Sequence, residues 1–134
     1  MSDKILVDTS AWILSFKDSG NEKLKDYLRK AIDSDRVVTT NIIILELLQG
    51  CKNKKEYDAL KSRFDVLPVY KLTENTWIIA YETGFLLRRK GINAPTVDIM
   101  ISSIAKENIL TIFHHDNHLK TISLEMGIKA IDFL

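Results

Sequence analysis

Four acidic residues stand where an ordinary solvated charge is hard to account for. Asp8 directly follows the apolar run 5–7, Asp116 follows the apolar run 110–113, Asp98 lies inside APTVDIMISSIA, and Glu46 interrupts an apolar run at 42–48. Three of them have a local explanation. Asp8, with Thr9 and Ser10, suits the cap of a helix, as does Asp116, and Asp98 falls in an early helical turn where the dipole favours negative charge. Glu46 resists that treatment, because Ile42, Ile43, Ile44 and Leu45 precede it and Leu47 and Leu48 follow. Burying an unpaired carboxylate is costly, so either the helix turns Glu46 to a solvated groove or a cation meets it. Drawn to one place, the four would repel: at about 6 Å and an effective dielectric of about 20 each pair costs about 2.8 kcal/mol, and six pairs roughly 17 kcal/mol. A divalent cation is the usual remedy. Carboxylate oxygens with retained water suit Mg²⁺ or Mn²⁺, whereas zinc favours imidazole and thiolate. Such a site can position and deprotonate water and offset charge on a phosphoryl group.

The elements that must position these acids are legible in outline. Short apolar runs at 5–7, 37–38, 66–70, 110–113 and 130–131 lack alternation and predict strands buried on both faces, as in parallel sheets. Helices are predicted at 10–16, 22–33, 41–48, 55–64, 74–90, 95–106 and 119–126. Pro95 and Thr96 mark a helix start, and Gly91 after Arg88, Arg89 and Lys90 marks a stop. Alternating strands and helices predict an α/β fold with helices on both faces of the sheet. In open α/β sheets ligands sit beyond the carboxyl ends of the strands, which is where Asp8 and Asp116 fall.

The chain has 134 residues and is 46% apolar, with five glycines, two prolines and no linker-like tract, so one domain over 1–134 is expected. Cys51 is the single cysteine, which excludes an intrachain disulfide and suits a reducing cytoplasm. The apolar segments are too short for a signal peptide or a membrane span, so a soluble cytoplasmic protein is expected. Nineteen basic and 18 acidic residues give a net charge of +1. That total demands neither nucleic acid nor membrane, but setting the four acids aside leaves 19 against 14, or +5 elsewhere, enough to attract RNA.

The segments ILVDTSAWI, ELLQG, PTVDIMISSIA and HHDNHL, in that order, resemble the four acidic motifs of PIN domains, and in particular the VapC-type ribonuclease toxins of prokaryotic toxin–antitoxin pairs. The resemblance spans essentially the whole chain. It implies a three-layer α/β/α fold around a five-stranded parallel sheet of order 3-2-1-4-5, which places Asp8 and Asp116 at the point where the winding reverses. It implies that Asp8, Glu46, Asp98 and Asp116 bind one or two Mg²⁺ or Mn²⁺ ions for hydrolysis of RNA to 5′-phosphate and 3′-hydroxyl ends. Thr9 and Ser10 match hydroxyl positions that contact a carboxylate or the scissile phosphate. A VapB-type antitoxin with a basic side chain among the carboxylates, and a homodimer, are further implications; the apolar surplus at 42–48 also hints at a subunit interface.

One position departs from the pattern. The family often carries Thr or Ser two residues before the last acid, where this chain has His114; His118, two residues after it, is within the family's range. The departure keeps a non-catalytic PIN-fold module that binds RNA or protein as an alternative. An aspartyl-phosphate chemistry on Asp8 is disfavoured, since it wants a second aspartate where Ser10 stands. His114, His115 and His118 read as a metal pair, as RNA or outer-layer contacts, or as packing; the strand expected to end near His114 spoils helical spacing for a pair. Trp12 and Trp77 read as core or interface residues, and Lys52, Lys54 and Lys55 as a solvated loop and helix start.

Overall fold

The structure, a computed structural model, describes residues 3–133. Its elements run β1 (Ile5–Val7), α1 (Thr9–Ser15), α2 (Glu22–Asp33), β2 (Val37–Thr40), α3 (Asn41–Gln49), α4 (Lys54–Phe64), β3 (Val69–Tyr70), α5 (Glu74–Arg89), α6 (Thr96–Asn108), β4 (Thr111–His114), α7 (Asn117–Met126) and β5 (Ala130–Asp132). The strands form one parallel sheet of order β3-β2-β1-β4-β5, the α/β topology expected from the sequence. Right-handed crossovers place α1 to α4 on one face and α5 to α7 on the other.

The central strands are apolar without alternation because both faces are covered. Ile5, Leu6, Val7, Ile112 and Phe113 have no exposed surface. Tyr27 of α2 stacks on Phe113 at 5.2 Å, and Trp12 packs against Phe64 at 4.9 Å, so the first tryptophan is a core residue. Trp77 lies on the surface of α5. The strand predicted at 66–70 shortens to Val69–Tyr70: Pro68 has no amide to give the ladder, and Val66 is 81% exposed. At β2 the opposite happens, since buried Thr39 and Thr40 extend the two-residue apolar run.

Local capping starts the helices. Asn21 accepts from the Leu24 amide and Asn53 from the Glu56 amide. Thr73 and Thr76 form a reciprocal capping box at the start of α5. The same two hydroxyls, joined by Asn75, bond the Glu107 carboxylate near the end of α6, and those contacts hold Glu107 below its ordinary pKa. This clamp fixes α6, and so the position of Asp98, against α5.

Two helices that carry site residues end in left-handed conformations. Gly127 follows α7 at φ +68°, where glycine is at ease. Ile109 follows α6 at φ 53°, a poor conformation for a β-branched residue, and it is 91% exposed, so no burial compensates it. Gly127→Ala is expected to lower stability by about 1 kcal/mol through backbone strain alone, since a Cβ there meets nothing within 4 Å. Ile109→Gly is expected to raise it by about 0.5–1 kcal/mol after the entropy of the freer unfolded chain is allowed for. Denaturant unfolding of the two variants, with shifts of opposite sign, checks both.

Candidate functional site

The parallel pairing of β1 with β4 sets Val7 beside Phe113, and the Asp8 amide donates to the Phe113 carbonyl at 2.9 Å. The chain then leaves the sheet on both strands at the same edge. Asp8 caps α1 and Asp116 caps α7, so both local explanations hold. They do not compete with a site, because a carboxylate has two oxygens. Asp8 receives the Ser10 amide at 3.0 Å and the Ser10 hydroxyl at 2.6 Å on Oδ2 alone. Asp116 receives the Leu119 amide at 3.0 Å on Oδ1.

Glu46 lies on the exposed side of α3, facing α1, with Ile43 and Leu47 turned into the core. The solvated groove, one of the two readings open in the sequence, is where Glu46 lies. The Thr9 hydroxyl donates to Glu46 Oε1 at 2.7 Å, tying α3 to the segment that carries Asp8. Asp98 is the third residue of α6, half-buried, and faces the other three. Thr9 and Ser10 thus each spend a hydroxyl proton on a carboxylate.

The electrostatics register the convergence. Burial pushes the Asp98 carboxyl up to about 6, helped by the charges of Asp116 and Asp8; His118 opposes this and Glu46 adds to it. Burial raises the pKa of Asp8 as well, against the bonds from Ser10 and with Asp116 pushing in the same direction as burial. Asp98 thus feels the charges of Asp116, Asp8 and Glu46, and Asp8 that of Asp116, at one edge of the sheet.

Two features of the surroundings were beyond sequence reading. The Ser10 hydroxyl that donates to Asp8 also accepts the His115 amide at 3.0 Å, across 105 residues of chain. His114 is fully buried at the end of β4, and its Nδ1 accepts the Asp116 amide at 3.2 Å. Burial lowers the pKa of His114, so the ring is neutral, with its proton assigned to Nε2 by that bond. His114 is therefore not half of a histidine metal pair with His118. It takes the place of the hydroxyl common in the family and orients Asp116 through its backbone. His115 Nδ1 bonds the Phe133 carbonyl at 2.7 Å.

His118, in the first turn of α7, does face the acids: its Nδ1 lies 3.8 Å from Asp98 Oδ2 and 3.7 Å from Asp116 Oδ1. One donor atom from each of Asp98, Asp116 and His118 falls within 4.8 Å of the others. Carboxylate oxygens and an imidazole nitrogen at such spacing fit a divalent cation with open positions for water.

The PIN-domain family model matches residues 5–124, and the chain belongs to that family. Similar solved structures include VapBC2 of Rickettsia felis bound to a promoter DNA fragment, with TM-score 0.79 and 16% identity over 97% of this chain and 98% of that one. DNA-bound VapBC of Salmonella typhimurium gives TM-score 0.78 and 20% identity over 99% and 100%. The sarcin–ricin loop cleaving toxin of Mycobacterium tuberculosis gives 0.63 and 20% over 88% and 94%. At such identity these likenesses establish the fold. No curated protein matches the chain in sequence.

The raised carboxyl pKa has a sign that can be tested. Asp98 binds its proton near pH 6 when folded and near 3.8 when unfolded, so the metal-free fold is favoured below pH 4 and loses that contribution as pH rises through 6. The shift alone would cost the fold about 3 kcal/mol at neutral pH, and on the order of 2 kcal/mol once screening by the solvent that reaches this half-buried group is allowed for. Asp98→Asn is expected to raise the melting temperature at pH 7 in chelator and to flatten the decline between pH 4 and 7, measured by thermal denaturation across that range.

Proposed function

We propose that this protein is a metal-dependent endoribonuclease, the toxin of a VapBC-type toxin–antitoxin pair, with residues 1–134 acting as one PIN domain in the cytoplasm. The observation that carries the reading is that Asp8 and Asp116, just beyond the carboxyl ends of β1 and β4, share one edge with Asp98 of α6 and Glu46 of α3, with Asp8 and Asp98 pushed toward protonation by burial and by neighbouring acids. In the absence of a positive charge that arrangement is a liability. With Mg²⁺ or Mn²⁺ held by these carboxylates it becomes a site. The chemistry such an ion supplies is a lowered pKa for water and charge to offset a phosphoryl oxygen.

The remaining residues have supporting work. Ser10 fixes Asp8, Thr9 fixes Glu46, and His114 fixes the backbone of Asp116, so the carboxylates are held before substrate arrives. The basic excess outside the cluster supplies attraction for RNA. Because His114 supplies an acceptor at the position where the family often has a hydroxyl, the departure does not favour a module that only binds.

Asp8→Asn is expected to lower RNA cleavage in Mg²⁺ or Mn²⁺ by roughly 100-fold or more while leaving the fold intact, the scale of a lost electrostatic contact to a transition state. Cleavage of total RNA followed by sequencing of the 5′-phosphate ends, with chelator as a second control, measures it. Equal cleavage by the variant would sink the nuclease reading and leave the binding module.

Two partners follow. A groove of about 740 Å³ runs from Glu46 between α1, α3 and α4, lined by Ile13, Phe16, Leu47, Leu60 and Arg63. We assign it to the C-terminal segment of a VapB-type antitoxin that sets a basic side chain among the acids. A second copy of the chain is assigned to α5, where Trp77, Ile78, Tyr81, Phe85 and Leu86 are exposed. The apolar surplus of α3 that hinted at an interface is mostly taken up by the core, with Leu45 the strongly exposed exception. Light scattering of the purified chain is expected to give twice the chain mass, and Tyr81→Asp with Phe85→Asp the single mass; a monomeric wild type would overturn the dimer.

A further inference from the structure

Among the described residues, His118 is the one titratable side chain outside the four acidic motifs that offers a ligand atom grouped with those of the acids. It is 55% exposed, its Nδ1 is almost equidistant from Asp98 Oδ2 and Asp116 Oδ1, at 3.8 and 3.7 Å, and neither separation is a hydrogen bond. Nor does another residue claim it. Its ring sits on the first turn of α7, one residue past the helix start, where Asp116 as cap fixes the helix and with it the direction of the ring.

The spacing is within ion-pair range, and it is also that of donors arranged around one ion. With bonds of about 2.1 Å, donors at right angles on a metal lie about 3.0 Å apart and opposed donors about 4.2 Å apart. The 3.7 and 3.8 Å separations fall between those limits, the Asp116 oxygen being the Oδ1 that also accepts the Leu119 amide and has a second lone pair to give. The geometry points to His118 Nδ1 as a direct ligand of the ion held by Asp98 and Asp116, an inference that rests on the metal-dependent reading above. The consequence is a choice of metal. An all-carboxylate site suits Mg²⁺ and Mn²⁺ alike, whereas an imidazole nitrogen is a poor ligand for Mg²⁺ and a good one for transition ions. Recruiting His118 therefore turns the site toward Mn²⁺ and the later divalent metals.

The geometry also separates His118 from its neighbours. His114 is enclosed, with Nδ1 given to the Asp116 amide, and His115 Nδ1 is given to the Phe133 carbonyl. Among the described residues only His118 brings a nitrogen within reach of the carboxylates.

The test is direct binding on the full chain, with Mn²⁺ and Mg²⁺ as the probes. Wild type is expected to bind Mn²⁺ and to show ¹⁴N modulation from a coordinated imidazole in pulsed electron paramagnetic resonance. His118→Ala is expected to lose that modulation and to weaken Mn²⁺ binding by roughly 10-fold or more with little change for Mg²⁺, the scale seen when a metal site loses a supporting group. His118→Asp, which restores a donor but not a nitrogen, is expected to recover Mn²⁺ binding without the modulation and to raise Mg²⁺ affinity. Circular dichroism confirms that each variant is folded. Bound Mn²⁺ with no ¹⁴N modulation in wild type, or the same Mn²⁺ to Mg²⁺ affinity ratio in His118→Ala, overturns the role of His118 while leaving the nuclease reading standing. No binding of either ion by wild type overturns both.

Discussion

Mutual repulsion among carboxylates is the constraint around which this chain is arranged. The sheet brings the ends of β1 and β4 side by side, and the residue that follows each strand at this edge leads to an acid. Nothing in the apolar packing of the two strands requires that. Burying Ile5, Leu6, Val7, Ile112 and Phe113 gives the central sheet its stability, and the same burial supplies the low-dielectric floor that makes ionisation of Asp8 and Asp98 unfavourable. The positive ends of α6 and α7 offset part of the cost, since Asp98 sits in the first turn of one and Asp116 at the cap of the other. The upward pKa of Asp98 measures what they leave uncompensated.

That imbalance is local, which explains how the fold tolerates it. Three of the four acids have a hydrogen-bond partner that holds their position: Ser10 for Asp8, Thr9 for Glu46, the Leu119 amide for Asp116. None of these partners carries positive charge, so they fix the carboxylates without neutralising them. A cluster ordered in this way would take up a cation, as proposed above, with little rearrangement, because the ordering is done by bonds already present. A lysine in place of either hydroxyl would instead neutralise the carboxylates from within the chain.

Much of the fold could be read in the sequence because its signals are local. Unalternating apolar runs marked the buried strands, and helical spacing, with Asp8, Asp116 and the Pro95–Thr96 pair as punctuation, marked helix starts within two residues. The errors fell where context decides. β3 lost the start of its predicted run to Pro68, and β2 gained two threonines that carry β-propensity without hydrophobicity. The four acids were legible as types and positions, but only tertiary structure could show that Glu46 faces a solvated groove, since the pattern of α3 is apolar on nearly every side. The Ser10 to His115 link joins residues 105 apart and has no local signature at all.

His114 shows how a departure from a family pattern can preserve what the pattern is for. A hydroxyl before the last acid can both accept and donate, so it can accept the amide of the acid and also give a proton to a carboxylate. An imidazole buried at the end of β4 accepts through Nδ1 only, and its Nε2 proton lies in the interior without a partner. The backbone of Asp116 is therefore held while its side chain receives nothing from this direction. Asp116 keeps one oxygen outside the Leu119 cap, and an unpaired buried Nε2, worth about 1–3 kcal/mol in lost solvation, is the accompanying cost. A chain that accepts such a cost two residues before Asp116 carries an imidazole where the family pattern often has a hydroxyl, and still keeps the Asp116 amide paired.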